Sequence, residues 1–371
     1  MVLALWSIPG CSRSPDAQAD ADRALSSFLG QGDSTPEGFA RAETAREFRF
    51  PEDHGAHPDY RTEWWYFTGN LATDQGRHFG YQLVLFRFAL APGRVERSSA
   101  WATKQVYMAH LALTDVESQE FRFHERFARN AAGLAGVEAS PFRVWLEDWR
   151  VEAVDGEDET WTLQAGESDM AISLTLSPLK PVVLQGDRGL SRKGPEPGNA
   201  SYYYSLPRIA TKGVITLGDE HYPVAGLSWL DREWSTSALS EEQAGWDWFS
   251  LQLNNGYDLM YYQLRHKDGR VEPFSSGTLI DPEGGTTALR REDVFLEALD
   301  TWESPLGGLY PVAWRMEIPL AGLEVEIQSM LKNQELDTSV RYWEGAVEVK
   351  GKQGDEEVSG HGYLEMTGYA R

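Results

Sequence analysis

The segment Ser228-Trp229-Leu230-Asp231-Arg232-Glu233-Trp234 carries the strongest chemical pattern in the chain. In an extended strand Trp229, Asp231 and Glu233 share one face, because alternate side chains point the same way. Two carboxyl groups beside an indole suit a general acid, Asp231, and its partner, Glu233. Apolar burial and a neighbouring like charge both raise a carboxyl pKa, which keeps a proton available near neutrality. Adding water to an isolated C=C bond needs such a proton, an aromatic face for the cation that forms, and a water to capture it. The plainer alternative for Asp231-Arg232-Glu233 is a salt-bridge cluster at a domain junction.

Three further residues are candidates. His110 shares a strand face with Met108 and Ala112 and could relay a proton, or simply sit satisfied in a core. Glu63 is expected to pair with Arg61, and it lies beside Trp64 in the same run. Asp247 falls between Trp246 and Trp248. Other chemistries find little support. The eight histidines show no HExxH or HxH spacing, and His54 and His57 lie three apart in a loop, so no metal site and no cofactor are expected. Ser228 lacks the second glycine of a GxSxG elbow. There is no GxGxxG and no P-loop. The one cysteine, Cys11, excludes an internal disulfide.

The elements that must position these groups are strands. From Glu63 onward, apolar and polar residues alternate in short runs, separated by turn signals such as Asp74-Gln75-Gly76, Asp155-Gly156, Asn255-Gly256, Asp268-Gly269 and Gln353-Gly354-Asp355. An internal echo aligns Glu63-Trp64-Trp65-Tyr66-Phe67-Thr68-Gly69-Asn70-Leu71 with Gly245-Trp246-Asp247-Trp248-Phe249-Ser250-Leu251-Gln252-Leu253. One face of each copy is ordinary core. The other carries Trp64 and Tyr66, or Trp246 and Trp248, with uncharged polar neighbours, as a ligand cavity wall needs. The echo implies two related all-β domains, placed at 46–235 and 236–371. Residues 12–45 read as a tether and lead-in, with short helices expected over Asp20–Leu29 and Gly38–Glu47.

With 371 residues, 41% hydrophobic and 12% aromatic, the chain can bury two cores. Acidic residues outnumber basic ones by 57 to 34, a net charge of -23, which repels phosphate backbones and excludes nucleic acid as a partner. No apolar run approaches the ~20 residues of a membrane-spanning helix. Met1 to Pro9 is short and apolar, and Gly10-Cys11 followed by a polar stretch resembles a bacterial lipoprotein signal. Residues 1–11 are therefore expected to direct export and lipidation at Cys11. Ser12 in place of Asp points to the outer membrane, with the periplasm as the other destination.

Several longer motifs stand in order along the chain. They are His57-Pro58-Asp59-Tyr60-Arg61-Thr62-Glu63-Trp64-Trp65-Tyr66-Phe67-Thr68-Gly69-Asn70-Leu71, Gly226-Leu227-Ser228-Trp229-Leu230-Asp231-Arg232-Glu233-Trp234, Gly245-Trp246-Asp247-Trp248, Tyr342-Trp343-Glu344-Gly345 and Gly362-Tyr363-Leu364-Glu365-Met366-Thr367-Gly368-Tyr369. They resemble the AttH-like family, which includes carotenoid 1,2-hydratase, and the resemblance covers residues 50 to 370 in order. It implies two lipocalin-like antiparallel β-barrel domains with a pocket at or near their interface. In the carotenoid hydratases a catalytic Asp stands two residues after a Tyr, and a His-x-Trp precedes a Pro upstream. Here Asp231 matches, Trp229 holds the Tyr position, and Tyr202-Tyr203-Tyr204 before Pro207 stands where the His-x-Trp falls.

With these partners replaced, the leading expectation is an envelope carrier of an apolar, lipid or terpenoid-like molecule. Its pocket would be lined by Trp229, Tyr202, Tyr204, Trp64, Tyr66, Trp246, Trp248, His110, Glu63 and Asp247. The alternative is a hydratase, isomerase or cyclase with Asp231 as acid. A third reading is an accessory partner of an ABC-type envelope transporter.

Overall fold

The computed structural model describes residues 37–93, 101–154, 157–237 and 239–370. Cys11 and the expected Asp20–Leu29 helix lie outside the described residues, as does the Asp155-Gly156 turn. The protein is all-β, with two lipocalin-like antiparallel sheets curled into barrel form and packed together.

The first sheet opens with β1 (Thr62–Ala72), β2 (His78–Ala89), β3 (Gln105–Asp115) and β4 (Glu120–Arg129). Short strands follow: β5 (Ala135–Ala139), β6 (Phe142–Leu146), β7 (Trp149–Val154), β8 (Glu157–Gly166) and β9 (Met170–Pro178). Next come β10 (Val183–Leu184) and β11 (Leu190–Arg192), then two long strands, β12 (Ala200–Leu217) and β13 (Glu220–Ser235). The second sheet holds β14 (Gln243–Leu253), β15 (Asp258–His266), β16 (Ser276–Ile280), β17 (Thr286–Arg290) and β18 (Phe295–Glu303). It continues with β19 (Leu309–Ile318), β20 (Leu323–Ser329), β21 (Glu335–Asp337), β22 (Arg341–Gln353) and β23 (Glu356–Met366).

Both sheets use the same scheme. β1 pairs with its hairpin partner β2 on one side and with β13, the last strand of its sheet, on the other. β14 likewise lies between β15 and β23. The hairpin turns fall where glycine permits positive φ, as at Gly76 and Gly256, each with φ of 87°.

Alternation decides which face of a strand is buried. β20 is the simple case: Leu323, Val325 and Ile327 enter a core while Glu324, Glu326 and Gln328 face water. β1 is buried along nearly its whole length because both its faces are covered. Phe67 and Leu71 enter the first core. Tyr66 joins Trp229, Trp248, Tyr262 and Tyr363 in a cluster between the sheets. Phe249 and Leu251 of β14 enter the second core. Backbone approach across the junction is close, since a Cβ on Gly80 would stand 2.4 Å from that of Ala346. Asn70 Nδ2 donates to Gly362 O at 2.9 Å, and Gln252 Nε2 donates to Pro207 O at 2.8 Å. These two residues occupy matching positions in the echo, so each domain reaches across with the same strand position.

Just past the lead-in the chain makes the 3-10 turn Glu52–His54. The expected helix over Gly38–Glu47 is instead irregular, non-helical chain. Its backbone is engaged by the barrel: Ala40 N bonds Asp59 O at 2.9 Å, and Thr44 O accepts from Tyr202 Oη at 2.8 Å. Ala42 is buried against Tyr202, Tyr204 and Trp234. Tertiary partners for the backbone override a modest helical propensity.

Candidate active site between the two domains

The aromatic faces of β1 and β14 meet around a cavity of about 150 Å³. Trp64, Tyr66 and Tyr203 line it from the first domain, and Trp246, Trp248 and Tyr262 from the second. Four carboxyl groups enter this aromatic shell: Asp231, Glu233, Glu344 and Glu365. His110, Lys193 and Tyr342 also face it.

Asp231 is 3% exposed and fully hydrogen-bonded. Its Oδ1 accepts from Ser205 Oγ at 2.5 Å and Trp229 Nε1 at 2.6 Å, and its Oδ2 accepts from Tyr203 Oη. Burial outweighs these three donors and, with the nearby Glu233, lifts its pKa to about 7. Burial and then the Asp231 charge push the Tyr203 phenol well above its ordinary value, so it remains a donor. Trp248 Nε1, from the second domain, donates to Tyr203 Oη at 3.0 Å. Glu233 stands 3.3 Å from Lys193 Nζ, which lies 4.0 Å from the Tyr262 ring centroid. Burial would lower the Lys193 pKa, but Glu233 keeps it raised.

Strand register reveals a second acid at the corresponding place. Tyr66 faces Asp231 across β1 and β13, and Trp248 faces Glu365 across β14 and β23. The echo aligns Tyr66 with Trp248, so Asp231 and Glu365 are equivalents. Glu365 Oε1 accepts from Trp246 Nε1 at 3.1 Å. Burial, then the charges of Glu233 and Asp231, raise its pKa to about 8. Next to it on β22, Glu344 is fully buried and accepts from Tyr66 Oη at 2.7 Å. Its Oε1 has no hydrogen-bond partner among the described residues. Burial, then Glu365, raise the Glu344 pKa well above its usual range, so it persists as a neutral acid.

The expected site residues separate by strand face. Asp231, Glu233, Trp64, Tyr66, Trp246, Trp248 and His110 line the cavity. Trp229 stands behind Asp231 as its donor. Tyr202 and Tyr204 face the opposite way and pack edge-on to Phe48 under the lead-in, so the tyrosine at the cavity is Tyr203. Glu63 and Asp247 are also on the far face, as neighbours in sequence of Trp64 and of Trp246 must be. Glu63 pairs with Arg87 and Arg232, in place of the expected Arg61. Burial alone would raise its pKa, but those two guanidinium groups hold it well below the usual range. Asp247 pairs with Arg265 at 3.0 Å and accepts from Tyr369 Oη at 2.9 Å. Ser228 Oγ bonds Tyr81 Oη and Thr211 Oγ1 in a buried hydroxyl cluster, away from a nucleophile's setting. His57 bridges Asp53 and Glu63, and His54 bonds Tyr204 Oη.

Sequence reasoning missed Tyr203, Lys193, Tyr342, Glu344 and Glu365 as site residues. The signal for Glu365 was available, because the final strand repeats the aromatic-x-acid spacing of Trp229 and Asp231 as Tyr363 and Glu365. Lys193 had no such signal, since it arrives from a loop after β11.

The model of a family described as AttH-like matches residues 41–369. The chain belongs to the AttH-like family. A crystal structure from Nitrosomonas europaea assigned to AttH is 35% identical, with a TM-score of 0.78 over 89% of this chain and 100% of that one. Kievitone hydratase from Nectria haematococca is 16% identical and shares the fold, with a TM-score of 0.66 over 90% of this chain and 97% of that one. The dehydratase asqC of Emericella nidulans is 25% identical over 229 residues, 56% of this chain and 61% of that protein. The match thus spans less than two thirds of that relative's length.

Proposed function

We propose that this AttH-like protein catalyses reversible addition and elimination of water at a C=C bond in a compact, largely apolar molecule. The observation that carries this reading is Asp231, a buried carboxyl with proton affinity near neutrality, set in an aromatic cavity opposite a second acid. In the elimination direction the Glu365 carboxyl gives its proton to the substrate hydroxyl, the C–O bond breaks and water leaves. The Asp231 carboxylate takes a proton from the adjacent carbon, and that C–H electron pair becomes the new C=C bond. The faces of Trp64, Tyr203 and Trp246 stabilise positive charge on carbon. Hydration is the reverse. Names of relatives support the class of reaction, while substrate identity is set by this chain's own cavity.

A carrier fits the cavity less well. Four acidic groups turned into an apolar hollow each cost desolvation, which a passive lipid site would avoid. Export with lipidation at Cys11 is a separate proposal: Cys11→Ser should move the protein from the membrane fraction to the soluble one.

The test uses 2-phenylpropan-2-ol labelled with oxygen-18, together with other ring-bearing tertiary alcohols and their alkenes. Cycles of elimination and hydration in ordinary water wash out the label. Wash-out by the wild-type protein that disappears in Asp231→Asn is expected. Equal wash-out by both proteins, or none by the wild type across the panel, would overturn the reading.

A further inference from the structure

We propose that Tyr342, His110 and Glu125 form a proton relay that connects the cavity to solvent while substrate fills it. This inference rests on the hydratase reading and adds the path by which its acids exchange protons. Tyr342 and His110 both line the cavity. Tyr342 Oη lies 2.7 Å from His110 Nδ1, and His110 Nε2 lies 2.9 Å from Glu125 Oε1. His110 is fully buried, whereas the Glu125 side chain is 19% exposed and so reaches the surface. The chain therefore begins at the cavity wall and ends at water within three side chains.

Hydrogen-bond polarity follows from the partners. Burial would raise the Glu125 pKa, but bonds from His110 and Ser339 keep it lowered, so Glu125 is a carboxylate and only accepts. Its partner Nε2 must then carry a proton. In a neutral imidazole the other nitrogen, Nδ1, is bare and accepts from Tyr342 Oη. Gln82 Nε2 also donates to Tyr342 Oη, at 3.3 Å. Other groups against the His110 ring are the Phe86 ring, at 5.8 Å between centroids, and the ring of Tyr342. Ser339, from the second domain, clasps Glu125 through its backbone N–H at 3.1 Å and its hydroxyl.

In this resting polarity the relay moves a proton outward. A proton from the cavity reaches Tyr342 Oη, the phenolic proton passes to His110 Nδ1, and the Nε2 proton passes to Glu125 and then to water. The ring is left with its proton on Nδ1. A proton entering from water through Glu125 to Nε2 drives the Nδ1 proton back to Tyr342 and restores the start. Elimination of water removes one proton from carbon and supplies one to the leaving hydroxyl. One outward and one inward hop per turnover match that balance.

His110→Gln separates relay from scaffold. An amide keeps a donor for Glu125 and an acceptor for Tyr342, but it cannot pass a proton. The expected result is a fall of at least tenfold in kcat for label wash-out from 2-phenylpropan-2-ol, with KM and Tm close to wild type. His110→Ala should regain activity with added imidazole, and substituted imidazoles should rescue according to their pKa. Unchanged kcat in His110→Gln, in an active wild type, would overturn the relay. NMR of the full chain with nitrogen-15 histidine, assigned through His110→Gln, decides polarity without any substrate. A bare Nδ1 and protonated Nε2 support the relay, and a protonated Nδ1 in the neutral ring overturns it. Absence of wash-out in the wild type counts against the hydratase reading and leaves the NMR result to judge the relay.

Discussion

Asp231 and Glu365 occupy corresponding positions in two similar strand ladders, yet their surroundings differ. Asp231 receives three donors, one each from Ser205, Trp229 and Tyr203. Glu365 has an indole donor from Trp246, and beside it Glu344 accepts from Tyr66 alone. On the strand next to each acid, Ser205 faces Asp231 where Glu344 faces Glu365. One barrel offers a hydroxyl donor at that place and the other a second carboxyl. Donors favour the charged form and a like charge disfavours it. Burial raises both acids, Asp231 to about 7 against three donors and Glu365 to about 8 against one donor and with the charges of Glu233 and Asp231 nearby. A duplicated scaffold thus places a buried carboxyl with a raised pKa at each of two equivalent positions, with different hydrogen-bond partners.

The comparison can be broken at several points. The largest effect is expected for Asp231→Asn, with label wash-out falling by about 10²–10⁴-fold, the range of a general acid–base group. Glu365→Gln should cost less, on the order of 10²-fold, and should remove the alkaline limb of the rate profile near pH 8. If Glu365→Gln leaves that limb in place, the acid is another group.

Ser205→Ala sharpens the contrast. It removes a donor that lowers the Asp231 pKa, so the pKa must rise and the acidic limb near pH 7 must move upward, by about one unit for a bond to a charged group. A downward move would contradict the assigned hydrogen bonds.

The smallest effect is on stability. Glu344, Glu365 and Asp231 all have folded pKa values raised above their unfolded ones. Their contribution is present in full below the unfolded values near 4, and it is lost as pH rises through the folded values. Between pH 5 and pH 8 this contribution therefore falls, against the opposite one of His54 and His78, whose lowered pKa values add stability as pH rises towards 6.5. Glu344→Gln, which cannot ionise, should flatten the fall by about 2–4 °C. A Tm difference between Glu344→Gln and wild type that stays constant with pH would show that Glu344 is not held protonated in the fold.

Much of the site was legible before any coordinates, but by face more than by residue. The echo put Trp64 and Tyr66 on one strand face and Trp246 and Trp248 on another, and these faces border the cavity, because a period of two leaves no freedom once one aromatic is assigned. The same rule should have removed Glu63 and Asp247, which sit one residue from those aromatics. For the run Tyr202-Tyr203-Tyr204 alternation demands a choice but does not make it. The choice follows from register, in which Tyr203 pairs with Glu233, and register across β12 and β13 includes a shift between Leu206 and Ile209. No local pattern encodes that irregularity.

The sequence by itself determined the all-β class, the duplicated hairpin, the two buried faces of its strands, and Asp231 as an acid beside an indole. These are properties of alternation and residue type, which neighbours in the chain impose directly. Only the tertiary structure decided which carboxyls share the cavity. Asp231 and Glu365 are 134 residues apart, and Lys193 and Glu125 join from a loop and an outer strand. Their protonation depends on burial and on neighbours brought from the other barrel, which exist once the two curled sheets have closed on each other.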